Sequence, residues 1–107
     1  MAVLDSYVRD RALAAVRTLT RLGCVRAAYV FGSHVEGRAN QWSDIDVAAF
    51  MEDIDTWDVR QRARAMASVM IEVGADVEAH LFPVSALTRP EHGGFAEYIL
   101  QRGVRVE

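Results

Sequence analysis

Apolar residues recur at helical spacing over residues 3 to 22, where Leu4, Val8, Ala12, Ala15, Leu19 and Leu22 make one stripe and Arg9, Arg17 and Arg21 fall elsewhere. That pattern predicts an amphipathic helix, which Gly23 is placed to end. Val25 to Phe31 is rich in β-branched and aromatic residues and reads as a strand, stopped by Gly32-Ser33. The polar stretch from His34 to Trp42 holds Gly37, Asn40 and Gln41 and predicts a short helical turn plus a loop. A second strand is expected over Asp44 to Phe50, with Ile45, Val47 and Ala49 alternating against Asp44, Asp46 and Ala48. A long helix is expected over Asp55 to Val73, with Asp55 as N-cap and Gly74 as stop. Its predicted apolar stripe is Val59, Ala63, Met66, Met70 and Val73, with Arg60 and Arg64 on another face. Asp76 to Phe82 reads as a third strand closed by Pro83, Phe95 to Gln101 as a last helix, and Val104 to Val106 as a terminal strand. The order α-β-(α)-β-α-β-α-β, with no visible linker or repeat, predicts one α/β (α+β) domain over residues 1–107: a small mixed sheet flanked by helices.

Composition narrows the function classes. At 107 residues the chain has the size of one domain, and so small a domain gains from a partner or a homo-oligomer. The apolar share of 51% and charged share of 25% are ordinary for a globular protein and argue against disorder. The net charge is -3, and all 12 basic residues are arginines. A mildly acidic domain is poorly suited to gripping long nucleic acid by its phosphates, although arginine forks remain available for smaller phosphate groups. Cys24 is the only cysteine, which excludes a disulfide framework and a cysteine zinc site; between Gly23 and an apolar run it reads as a buried, inert thiol. Asp5, Arg9, Asp10 and Arg11 interrupt the N-terminal apolar residues, so no signal peptide is expected there. No run approaches the ~18 apolar residues of a membrane span. The expectation is a cytoplasmic protein without membrane contact.

The chemistry is concentrated in Gly32-Ser33, ten intervening residues, and Asp44-Ile45-Asp46. Gly32 permits a sharp backbone turn at a strand end. Ser33 then opens a helical turn, whose free N–H groups and hydroxyl can receive phosphate oxygens. Asp44 and Asp46 are two residues apart on a predicted strand, so their carboxylates share a face at about 7 Å along the backbone. Two acids pointing one way repel each other unless a cation lies between them. Magnesium suits that place, because it takes carboxylate oxygens and keeps coordination positions for water and substrate phosphates. A phosphate cradle beside a magnesium clamp describes a phosphoryl- or nucleotidyl-transfer site. A two-metal version needs a third acid. Asp76, Glu78 and His80 share a face of the third strand, and Glu78, flanked by apolar residues, is preferred over Asp76 at the strand mouth.

The segment from Phe31 to Val47, with Gly32-Ser33 and Asp44-Ile45-Asp46 at that spacing, resembles the signature of the polymerase beta-type nucleotidyltransferase superfamily, and the short chain resembles its minimal prokaryotic members. The likeness extends to Val77-Glu78-Ala79-His80-Leu81 and to Ile99 through Val104. It implies a nucleotidyltransferase (polymerase beta-like) fold and two Mg2+ ions on Asp44, Asp46 and Glu78. It also implies ATP as nucleotide donor, with Gly32 and Ser33 holding the triphosphate. The resemblance further implies a partner: a small helical HEPN-type protein in a toxin–antitoxin pair, with the nucleotidyltransferase acting as antitoxin by adenylylating the toxin. Two positions depart from the family pattern. Glu36 stands where a basic residue is common, with Arg38 two positions on to compensate, and Glu78 stands where Asp is more frequent.

Plainer readings stand beside these. Asp44 and Asp46 taken alone would be a turn cap and a solvated acid, and Ser33 a simple N-cap. His80 reads as a satisfied polar residue, since magnesium prefers oxygen. His34 faces either a phosphate or solvent, Trp42 either stacks on a base or, as preferred, covers the core edge, and Arg60, Arg62 and Arg64 form a solvated face, with Arg60 and Arg64 available to a partner. Three functions follow: nucleotidyl transfer to a protein hydroxyl, transfer to a small molecule as in aminoglycoside nucleotidyltransferases, or a catalytically silent subunit that binds a helical partner. Small-molecule transferases carry an extra substrate domain, for which 107 residues leave little room.

Overall fold

The computed structural model describes residues 4–107. The chain builds α1 (Ser6–Thr20), β1 (Cys24–Phe31), α2 (Ser33–Glu36), β2 (Ile45–Glu52), a 3-10 turn (Ile54–Thr56), α3 (Val59–Glu72), β3 (Val77–Pro83), α4 (Val84–Thr88), α5 (Phe95–Arg102) and β4 (Val104–Arg105). The strands form one sheet in the order β3-β2-β1-β4. β1 is antiparallel to β2 and β4, whereas β2 and β3 are parallel. A parallel pair needs a crossover, and α3 supplies it. The expected small mixed sheet flanked by helices is what the chain forms.

Each face of the sheet carries its own core. Val30, Ile45, Val47, Ala49, Met51, Val77 and Ala79 pack under α1 and α3 with Val8, Ala12, Ala15, Leu19, Ala65 and Val69. The opposite face gathers Ala27, Phe31, Ala48 and Phe50 beneath Ala96 and Ile99 of α5, with Phe82, Ala86 and Leu87 at its margin. Helix α1 starts after Asp5, whose side chain accepts the Tyr7 N–H, and ends at Thr20; Leu22, expected in its stripe, is exposed. The predicted helical residue Val3 lies outside the described residues.

Four expectations need correction. Asp55 does not cap α3, because it lies inside the 3-10 turn; Asp58 does, its side chain accepting from the Gln61 N–H while the Gln61 side chain accepts from the Asp58 N–H. That reciprocal pair satisfies two helix-end donors at once and so selects the later start. The predicted apolar stripe of α3 points outward: Val59 is 84% exposed, and Ala63, Met66 and Met70 are exposed with it. The helix has apolar residues on two faces, and it turns the one with Ala65 and Val69 inward. Trp42 is 81% exposed rather than covering the core edge. Cys24 is exposed at the start of β1, not buried. The neighbouring Glu52 carboxylate raises the pKa of its thiol, which favours the neutral form. Helix α4 falls in a stretch given no element from the sequence; it follows Pro83 directly, where a fixed φ suits a helix start. Among the described residues, no helix is long and apolar enough to cross a membrane.

Candidate active site

Asp46 is the second residue of β2, and Glu78 is the second residue of β3. The parallel register sets Asp46 directly opposite Glu78, so both carboxylates emerge side by side from one face. This is the face that carries Phe31, Phe50 and Phe82, and the acids stand at the end of it that α4 and α5 leave open. Asp44 is placed differently from the expectation. It lies one residue before β2 and is exposed, because the strand begins only where the Ile45 N–H bonds the Asp76 carbonyl at 2.7 Å.

The unexpected member of the site is His80. Its Nε2 lies 3.1 Å from Asp46 Oδ1 and 3.8 Å from Glu78 Oε1. One donor atom from each of Asp46, Glu78 and His80 falls within 4.8 Å of the other two, a group that Asp44 does not enter. The imidazole is packed edge-on against two rings, with centroids 5.0 Å from Phe31 and 5.8 Å from Phe95. In the sequence His80 was assigned to the Glu78 face but not to the acids, because only the β2–β3 register brings Asp46 to it. Asp76 is occupied elsewhere, in an ion pair with Arg11 of α1.

Gly32 joins this cluster to the short helix α2. Its φ is 85°, a left-handed conformation, and a Cβ built on it would stand 2.8 Å from Asp46 Oδ2. Only glycine combines that backbone with so close an approach to the acid. Ser33 and His34 follow at the start of α2, where the first N–H groups have no carbonyl within the helix to bond. His34 is tied back by its Nε2 to the Ser43 carbonyl at 3.1 Å, which braces α2 against the loop leading to Asp44.

Beyond α2, Glu36 is surrounded by donors. Arg38 lies 2.6 Å from its Oε2, the Tyr98 hydroxyl donates to the same oxygen at 3.0 Å, and Arg102 stands 3.6 Å from Oε1. The Arg38 hydrogen bond first, then that of Tyr98, holds the Glu36 carboxyl below its ordinary range, and Glu36 in turn raises the Tyr98 hydroxyl. Arg38, expected beside the triphosphate, is engaged by Glu36 instead.

The model of the family described as polymerase beta nucleotidyltransferases matches residues 16–105. The chain belongs to that family. The matched span holds Gly32, Ser33, Asp44, Asp46 and Glu78, so the site lies within the shared nucleotidyltransferase domain. The crystal structure of a protein from Sulfolobus solfataricus with a provisional nucleotidyltransferase assignment superimposes with a TM-score of 0.51 at 20% identity, covering 78% of this chain and 77% of the other. That likeness establishes a shared fold. Comparison with curated proteins gives no match.

The Glu78 side chain is 52% exposed, so the acids face solvent. A cavity of about 330 Å³ lined by Phe82, Ala86 and Phe95 adjoins the aromatic cluster around His80, and one of about 390 Å³ is lined by His34, Ser43, Ile45 and Asp76 beside the loop that carries Asp44.

Proposed function

We propose that this nucleotidyltransferase domain moves a nucleoside monophosphate, AMP from ATP, to a hydroxyl of a partner protein. The observation that carries the reading is the pairing of Asp46 with Glu78 in register, on the open face immediately beside Gly32. Two hard carboxylates there suit Mg2+, and Asp44, exposed on the preceding loop, would have to move toward them to share an ion. The ions would supply charge to offset the triphosphate and to stabilise the in-line displacement. Ser33 and the first N–H groups of α2 bind phosphate oxygens, and Arg38 exchanges Glu36 for the triphosphate when nucleotide arrives. Glu78 accepts the proton of the acceptor hydroxyl. The acceptor oxygen bonds to the α-phosphorus as the bond to the pyrophosphate oxygen breaks, and pyrophosphate leaves.

The exposure of the Glu78 carboxylate lets a hydroxyl on a macromolecule approach the acids directly. We infer a helical HEPN-type partner in a toxin–antitoxin pair, acting in the cytoplasm, as the family resemblance implies. The second reading is a binding subunit without catalysis. It is favoured by the outward apolar stripe of α3, which suits contact with a helix, and by the engagement of Arg38 with Glu36.

The test is incubation with Mg2+, lysate and ATP labelled at the α- or the γ-phosphate. Transfer of the α label alone, abolished in Asp46→Asn, is the expected result. Absence of both transfer and Mg2+-dependent ATP binding would leave the binding subunit.

A further inference from the structure

We propose that His80 is itself a metal ligand, and that Asp46, Glu78 and His80 together take a borderline divalent cation such as Zn2+ or Co2+ in preference to Mg2+. The inference rests on the nucleotidyltransferase reading only for what the ion does there, since the site is built from side chains in place without nucleotide.

The geometry points to a ligand set. Donors around one ion at 2.0–2.2 Å stand about 3 to 4.5 Å apart. His80 Nε2 is 3.1 Å from Asp46 Oδ1 and 3.8 Å from Glu78 Oε1, so shifts of a fraction of an ångström would converge all three. Two carboxylates and one imidazole with an open side resemble the three-ligand sets of catalytic zinc, which keep a coordination position for water or substrate. Imidazole nitrogen is a poor donor to Mg2+ and a good one to Zn2+ and Co2+, and this difference sets the preference.

The surroundings hold the ring in place. Phe31 and Phe95 fix it from two sides, and Phe95 itself packs against Phe31 at 5.4 Å and Phe82 at 5.7 Å. On the other side, the missing side chain of Gly32 leaves the space that Asp46 Oδ2 occupies. The ligands are thus presented by two strands and one aromatic cluster, with little to reorganise on binding.

The experiment is titration of the nucleotide-free protein with Co2+, in a Cys24→Ser background to remove the exposed thiol. Proton spectra of the Co2+-loaded protein should show one strongly shifted exchangeable imidazole N–H, absent in His80→Asn although His34 and His92 remain. Calorimetry should show Co2+ and Zn2+ binding at least about tenfold tighter than Mg2+, with that preference lost in His80→Asn. If His80→Asn fails to fold, persistence of the shifted N–H in a His34→Asn, His92→Asn double variant assigns it to His80. Absence of that signal, equal affinity in the variant, or absence of Co2+ binding each overturns the proposal. Because no nucleotide is present, the site can be found in a protein that transfers nothing, and Mg2+-driven transfer can survive a negative result here.

Discussion

Asp46 has His80 within hydrogen-bond distance of one oxygen, Glu78 opposite it in the register, and Gly32 where a Cβ would meet its other oxygen. Gly32→Ala tests how far that contact governs binding. The φ of 85° with ψ of -149° is a backbone region kept almost to glycine and costs about 1–3 kcal/mol for a residue with a Cβ, and the added methyl pushes the Asp46 carboxylate away from His80. The variant is expected to fold with stability lowered by that amount in urea, and to lose most Mg2+-dependent ATP binding. Glu36 sets a pH dependence. Its folded-state carboxyl lies below the ordinary 4.5, so the stability it contributes is present above that value and lost as pH falls through the lowered one. Tyr98 is raised above its ordinary 10.0, so its contribution is present below that pH and is lost as pH rises further. Glu36→Gln should flatten the acid limb of stability against pH. It should also bring one tyrosine ionisation to lower pH in an alkaline absorbance titration.

At the scale of elements, α3 shows why a periodic pattern does not name its own inward face. Val59-Ala63-Met66-Met70-Val73 is the heavier set at helical spacing and Ala65-Val69 the lighter, and of the first only Val73, at the helix cap, packs on the core. The structure buries the lighter set, because small Ala65 lets the crossover helix lie close to the sheet. Val69→Ala should therefore cost about 2 kcal/mol, and Met66→Gln less than about 0.5 kcal/mol, in chemical denaturation. Helix α5 was legible as an element, but its role as a wall was not. Phe95 reaches His80 while Tyr98 reaches Glu36, and nothing along the chain joins positions 36, 80, 95 and 98.

At the scale of the whole molecule, the C-terminal strand closes the sheet beside β1. Val104 and Arg105 pair with Val30 and Tyr29, the Val106 N–H donates to the Ala28 carbonyl at 2.8 Å, and the Ala28 N–H donates to the Glu107 carbonyl at 3.1 Å. A chain cut after Arg102 should lose about 2–4 kcal/mol, at about 1 kcal/mol per bond, and should aggregate through the bared edge of β1, as seen in unfolding curves and light scattering. The sequence by itself determined the mixed α/β class, the order of its main elements and the neighbourhood of Gly32, Ser33, Asp44, Asp46 and Glu78. Alternation and turn chemistry are local, and they act over a few residues. The tertiary structure alone decided the strand register that sets Asp46 against Glu78 and His80. It also decided the displacement of Asp44 from the strand, the inward face of α3 and the hydrogen bond of Tyr98 to Glu36. Those outcomes depend on which distant segments pack together, and no spacing within one segment encodes that choice.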